Sequence, residues 1–326
     1  MDEKIQDGLS RELQKQLQKL AITKQLNFLI GSGASMPTIP PMGSFSDNDN
    51  QSANDQLTEK VREVSQQILY QDETVKDTQE DYNRFIQTVV NLLNLSNSRQ
   101  TPKNANIFTT NYDLFIEQAA DNILKNNRMI FNDGAGGYFN RVLNSGNYNR
   151  VTAYKGVNDN YISEIPSISL IKPHGSMNWE KVGDDIKITN SVVEYPVIVP
   201  PTGYESADTY LSNHFYEMLR IFETELDKPQ SVLFIIGFSF QDKHIGKMIK
   251  RALQNTELMI YAIAHKSNAS NAEEDDGKIF LKNLELSSEP NNFKIISPEQ
   301  GINYTLADFT TWLANSSESE ITIDTK

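Results

Sequence analysis

Cysteine is missing altogether from the 326 residues. That excludes disulfides, thiol nucleophiles and every zinc site built on thiolates. Histidine is scarce, four in all, and His174, His214, His244 and His265 lack the spacing of metal ligands, so no metal is expected. Basic charge is short as well: 30 Lys and Arg stand against 43 Asp and Glu, a formal net charge of −13. Nucleic acid is gripped chiefly by clustered Lys and Arg, so direct contact with it is not expected. Long apolar runs are wanting too. Val232 to Ile236 is among the longest, far below the ~20 residues of a bilayer-spanning helix. The start, Met1-Asp2-Glu3-Lys4, does not have the basic and then apolar order of a secretory signal. These shortages together predict a cytoplasmic protein without a membrane span.

What is present is enough apolar residue, 38%, for a substantial core. Ile5, Leu9, Leu13, Leu17 and Leu20 recur along one face of a helix expected over residues 3–24, a stripe that either packs on its own domain or forms an oligomer or partner contact. Short apolar strands then alternate with polar loops and helices. Phe28 to Ile30 leads into Gly31-Ser32-Gly33-Ala34-Ser35, Ile107-Phe108 into Thr109 to Asp113, and Ser167 to Ile171 into Lys172-Pro173-His174-Gly175. Val232 to Ile236 opens at Gly237-Phe238-Ser239-Phe240-Gln241-Asp242 into a helix, and Val197 to Val199, Leu258 to Ile263 and Phe293 to Ile296 read as further strands. Tyr82, Phe85, Ile86, Val89, Val90 and Leu93 mark an amphipathic helix. Continuous apolar strands predict parallel pairing covered on both faces. The expected fold is α/β, a Rossmann-like parallel sheet within one catalytic domain over 1–315. Helical and loop insertions near 44–105 and 126–165 are expected to form a lid or small subdomain, and 316–326 a flexible tail.

Three polar clusters, Gly31 to Ser35, Asn111 with Asp113, and His174, fall just past strand C-termini, where open α/β sheets bind ligands. The dehydrogenase fingerprint fails, because Met36 stands where its third glycine belongs, and a P-loop fails at Gly246-Lys247-Met248. Local structural roles compete with ligand binding. Gly31 and Gly33 suit a tight turn, Asn111 and Asp113 a helix start, Ser239 and Asp242 an N-cap and a first-turn acid, and His174 a buried strand end. His214, His244 and His265 read as structural or exposed, and Trp179 as core or pocket wall.

In order along the chain, Gly31-Ser32-Gly33-Ala34-Ser35, Thr109-Thr110-Asn111-Tyr112-Asp113, His174-Gly175 and Gly237-Phe238-Ser239 resemble the four ordered motifs of the sirtuin superfamily. Pro-Pro-Met-Gly at 40–43, Lys-Pro-His-Gly-Ser at 172–176 and Gly-Phe-Ser-Phe-x-Asp at 237–242 are similar to a bacterial sirtuin-like branch that depletes NAD. The resemblance implies antiphage defence and a protein partner or trigger: an ATPase or helicase, an Argonaute-type protein or a phage protein. A homo-oligomer is expected as well, with activity gated by assembly or by the partner, since unchecked activity would kill the host. Two departures bear on activity. The deacylase members resemble one another in a four-cysteine zinc module that this chain cannot make, and Thr110 stands in place of the glutamine of the ribose motif.

The implied reaction is hydrolysis of NAD, as substrate, to ADP-ribose and nicotinamide. His174 would take a proton, Asn111 would bind a ribose hydroxyl or the attacking water, and Asp113 would meet the carboxamide or the developing charge. The amides of Gly33 to Ser35, with a helix N-terminus behind them, would cradle pyrophosphate. Thr109 and Thr110 belong to the ribose motif, and Gly237 and Ser239 would approach the adenosine half. Two alternatives stay open: a non-hydrolytic NAD or ADP-ribose binding module, and an ADP-ribosyl transferase or cyclase.

Overall fold

The computed structural model describes residues 9–48, 51–96, 102–155, 164–200, 213–268, 271 and 275–314. Seven parallel strands form the central sheet. They are β1 (Gln25–Ile30), β2 (Asn104–Thr109), β3 (Ile130–Asn132), β6 (Ser167–Ile171), β9 (Ser231–Ile236), β10 (Met259–Ile263) and β11 (Phe293–Ile296), in the order β11-β10-β9-β1-β2-β6-β3. A second, antiparallel sheet runs β4 (Ala135–Gly136), β5 (Val142–Leu143), β8 (Asp185–Ile188), β7 (Trp179–Val182).

Because side chains alternate along a strand, the central strands feed two cores. Phe28 and Ile30 of β1, Ile107 of β2 and Phe234 of β9 join the first core. It is covered by α1 (Arg11–Thr23), α2 (Ala53–Leu69), α3 (Lys76–Leu95), α4 (Phe115–Leu124) and α8 (Leu306–Leu313). Leu29, Phe108, Leu233 and Ile235 face the second, under α5 (Asn213–Asp227), α6 (Lys243–Ala252) and α7 (Asp276–Asn283). The result is the α/β architecture expected, a Rossmann-like parallel sheet with helices on both faces.

Of the two readings of the leucine stripe, packing on its own domain is the one seen: Leu9 and Leu17 are buried, Leu13 and Leu20 pack on the first core, and Gln18 Nε2 donates to the carbonyls of Trp312 (3.0 Å) and Ala314 (2.7 Å) at the end of α8. Other local expectations are corrected. The helix starts at Arg11 and not at residue 3, because extended Ser10 caps it, so Leu9 precedes it. Ile5 lies outside the described residues, as does the tail. Val197 to Val199 is no strand. Ile198 makes one isolated bridge to Gly175, because Pro196 and Pro200 on either side lack amide donors. The insertion near 44–105 becomes helical at α2, where Ser52 and Asp55 close a capping box. The 126–165 stretch, read as helical and loop insertion, contributes β3 to the central sheet and β4 and β5 to the second.

Candidate functional site

Strands β9, β1, β2 and β6 are neighbours in the sheet, and the chain order reverses direction at β1. A crevice at such a switch point, outside the strand C-termini, is the ordinary ligand site of an open α/β sheet. The four loops that leave these strands carry the four sequence motifs.

After β1 the chain makes a single 3-10 turn, Ser32–Ser35, and no α-helix begins there. Pro37, Pro40 and Pro41 follow too closely for one to propagate. The helix N-terminus expected behind the glycines is therefore absent, and two of the three amides assigned to pyrophosphate are turned inward. Gly33 N donates to Gly237 O (2.9 Å) and Ala34 N to Gly31 O (3.1 Å). The β1 and β9 loops thus meet backbone to backbone. A Cβ on Gly31 would stand 2.4 Å from Gly237 O, and one on Gly237, whose φ is +67°, would stand 2.3 Å from Ala34 N. The glycines are there for this close approach.

Ser35 is fully buried and gathers the first cluster. It donates to Asp113 Oδ2 (2.9 Å), and having given its one proton it accepts from Asn111 Nδ2 (3.2 Å) and from the Tyr82 hydroxyl (2.9 Å). Asn111 Nδ2 also donates to Gly31 O (3.2 Å), which fixes the orientation of the amide. Thr109 holds the loop from beneath: its hydroxyl donates to Ile30 O (2.9 Å) and accepts from Asn111 N (3.1 Å). With its nitrogen engaged, Asn111 leaves Oδ1 buried and without a partner among the described residues. Asp113 Oδ1 accepts from Phe115 N (3.3 Å) at the start of α4, so the helix-start role is real for Asp113 and not for Asn111. Burial pushes the Asp113 carboxyl above its ordinary range against the pull of Lys172 and Ser35, and burial with the Asp113 charge pushes the Tyr82 phenol well up.

Lys172, at the tip of β6, is 2% exposed. A buried ammonium needs acceptors, and Nζ has three: Asp113 O (2.6 Å), Glu117 Oε1 (2.9 Å) and Ser176 Oγ (2.9 Å). It ties the β6 loop to the β2 loop. Glu117 is itself raised by burial, with Lys172 opposing. Two residues on, His174 Nε2 lies 3.2 Å from Asp242 Oδ2. Asp242 is the N-cap of α6, with Oδ1 accepting from His244 N (2.9 Å) and Ile245 N (3.1 Å). Burial works to raise its carboxyl, yet His174 and those two amides together hold it below the ordinary value. His244 is lowered, first by burial.

One cavity of about 430 Å³ joins these groups. Of the residues expected at the site, Ser32, Ser35, Thr110, Asn111, Asp113 and His174 line it. Gly31, Gly33, Ala34, Thr109 and Gly237 stand behind the wall as its backbone support, and Ser239 is exposed, its carbonyl accepting from Asn283 Nδ2 (2.8 Å). The cap of α6 is Asp242 and not Ser239. Sequence reading missed four contributions. Asp242, although it ends the 237–242 likeness, reads first as a helix start, Tyr82 only as part of a core stripe, and His244 as structural or exposed. The apolar wall of Ile39, Met42, Leu57 and Val61 comes from the 37–69 region, where only Met42 falls in a quoted motif, Pro-Pro-Met-Gly at 40–43. Trp179 is core, beside His214 with ring centroids 6.1 Å apart, and His265 Nδ1 bonds to Tyr304 O at 2.8 Å. Among the described residues no group of three or more His, Asp or Glu could hold a metal ion, and no helix is long and apolar enough to cross a membrane.

A family model for the SIR2-like domain matches residues 105–287, more than half of the chain. The match includes Asn111, Asp113, His174 and Asp242 and leaves the glycine turn outside. No curated protein matches the chain.

Proposed function

The chain belongs to the SIR2-like domain family, whose members use NAD, and from that premise we propose that it hydrolyses NAD at the nicotinamide–ribose bond, giving ADP-ribose and nicotinamide. The observation that carries this reading is Asn111, which lines one cavity with His174 and whose buried Oδ1 has no partner among the described residues. A ribose hydroxyl or a water supplies the donor that Oδ1 lacks. Leaving a buried acceptor unmade costs about 1–3 kcal/mol, so the site is built to gain from a ligand there.

Nicotinamide leaves as the C1′–N bond breaks, its electron pair returning to the cationic ring. Water bonds through oxygen to C1′ and its proton passes to His174. Positive charge develops on the ribose as the bond opens, and the Asp113 carboxylate beneath the site lowers its energy. With the Gly33 and Ala34 amides engaged elsewhere, side-chain donors at the wall, among them Ser32, Thr110, Gln241 and Lys243, would hold pyrophosphate. Deacylation is not supported, since a chain without cysteine lacks the zinc module that organises the peptide cleft in the deacylase branch.

The biological role we assign, on the likeness of segments 40–43, 172–176 and 237–242 to the NAD-depleting branch, is a gated effector of bacterial antiphage defence. Unchecked hydrolysis would kill the host, so assembly or a protein partner holds the switch. The experiment is to incubate the full chain, alone and with candidate partners, with NAD and to resolve the products. ADP-ribose and nicotinamide in equal amounts are expected. A cyclic product or protein-bound ADP-ribose would replace hydrolysis by cyclisation or transfer, and no turnover in any assembled state would leave only a binding module.

A further inference from the structure

Asp242 carries two jobs at one carboxylate. Its Oδ1 is occupied by the first turn of α6, accepting from His244 N and Ile245 N at 2.9 and 3.1 Å. Those two bonds, with the positive end of the helix behind them, hold the carboxylate still and ionised. Its Oδ2 is buried, receives no aligned hydrogen bond from any described residue, and lies 3.2 Å from His174 Nε2. Both side chains are nearly enclosed, 10% and 11% exposed. His244 and Lys243 share this end of the cavity, and Asp113 stands on the β2 loop across it. Asp242 is nevertheless the carboxylate at ion-pair distance from the imidazole among the described residues.

We infer that Asp242 is a positioning residue for His174. A carboxylate beside Nε2 selects the neutral tautomer that carries its proton there, because the other tautomer would set two lone pairs against each other. Nδ1 is then the nitrogen free to accept a proton. When Nδ1 takes one from the attacking water, the imidazolium that forms sits against a fixed negative charge that needs no rearrangement to meet it. The contact at 3.2 Å tightens as that charge appears, as catalytic contacts commonly do. This inference deepens the NAD-cleaving reading and rests on it for the identity of the proton donor. The tautomer itself does not depend on any substrate.

The test uses the full chain and its four histidines. Nitrogen-15 NMR of the imidazoles, with His174→Gln identifying the signal, reads the tautomer of His174 in the wild type and in Asp242→Asn. Asparagine caps a helix about as well as aspartate but brings no charge, and Asp242→Ser, also a good cap, serves if the amide disturbs folding. The wild type should show protonated Nε2 and bare Nδ1. Asp242→Asn should lose that fixed tautomer, and its kcat for NAD should fall ~10-fold or more while KM stays within about twofold. A wild type protonated at Nδ1, or a variant that keeps either the tautomer or the kcat of the wild type, overturns the inference. A wild type that releases no nicotinamide in any assembled state would sink the hydrolase reading instead, and the tautomer alone would then decide the role of Asp242.

Discussion

Asn111 and Gly237 show two ways in which a residue type answers to its surroundings. The amide of Asn111 is oriented by a carbonyl that can only accept, Gly31 O, and this leaves Oδ1 buried without a partner among the described residues. Its place at the cavity wall was legible because the motif fixes residue type and order. The orientation of its amide was not, since it needs the bond to a residue 80 positions away. Asp242 shows the converse. Six positions past the end of β9 it reads as a helix start and is one, and only the fold brings β6 close enough to put His174 on its other oxygen. Gly237 supplies a prediction at this scale. Alanine there meets Ala34 N at 2.3 Å and must hold φ at +67°. The left-handed conformation alone costs roughly 1–2 kcal/mol, and with the clash Gly237→Ala should lose more than about 2 kcal/mol of stability. A urea melt measures this, and a midpoint equal to the wild type would refute the account of the glycine contact.

At the scale of elements, the apolar stretches Phe28 to Ile30, Ile107-Phe108 and Val232 to Ile236 were legible because both faces of the sheet are buried. The first halves of β1 and β2 were not, since buried Asn27 and Asn106 satisfy each other by a hydrogen bond (2.9 Å). The exceptions have physical causes. β3 is three residues long and half-buried, and the β7–β8 hairpin mixes Glu180, Lys181, Asp185 and Lys187 with its apolar residues, so its pattern comes from pairing partners and not from local preference. The helix expected behind the glycine turn failed on prolines that stand in the sequence. The helix α5 carries a testable titration. His214 is pushed down from 6.5 to about 4, first by burial, with Glu217 opposing, and its Nε2 has no hydrogen-bond partner among the described residues. A histidine depressed in the folded state contributes stability that is whole above 6.5 and is lost as pH falls through about 4. The loss can reach about 3 kcal/mol. Asp113 and Glu117, raised by burial, act with the opposite sign, so the comparison must be between variants. His214→Phe should flatten the fall in melting temperature between about pH 7 and about pH 4. A fall as steep as that of the wild type would contradict the assignment.

At the scale of the whole molecule, the order β9-β1-β2-β6 decides where function can be. Motifs spread over more than 200 residues, from Gly31 to Asp242, come together because four adjacent parallel strands end on the same side of one sheet. The order of the motifs was legible, and so was the sheet. The apolar wall was not, because Ile39, Met42, Leu57 and Val61 are ordinary core residues until the fold sets them in one cavity with the polar loops. With a net charge of −13, the proposed dinucleotide would have to be held through a few placed donors and not through a basic surface.

The central claim is that Asn111 and His174 act on one dinucleotide in one cavity. Steady-state turnover of NAD by His174→Ala and by Asn111→Ala, beside the wild type and in the same assembled state, tests it most directly. Each variant should lose at least ~100-fold in kcat while its circular dichroism and melting stay close to those of the wild type. Near-normal turnover in either folded variant would contradict the account.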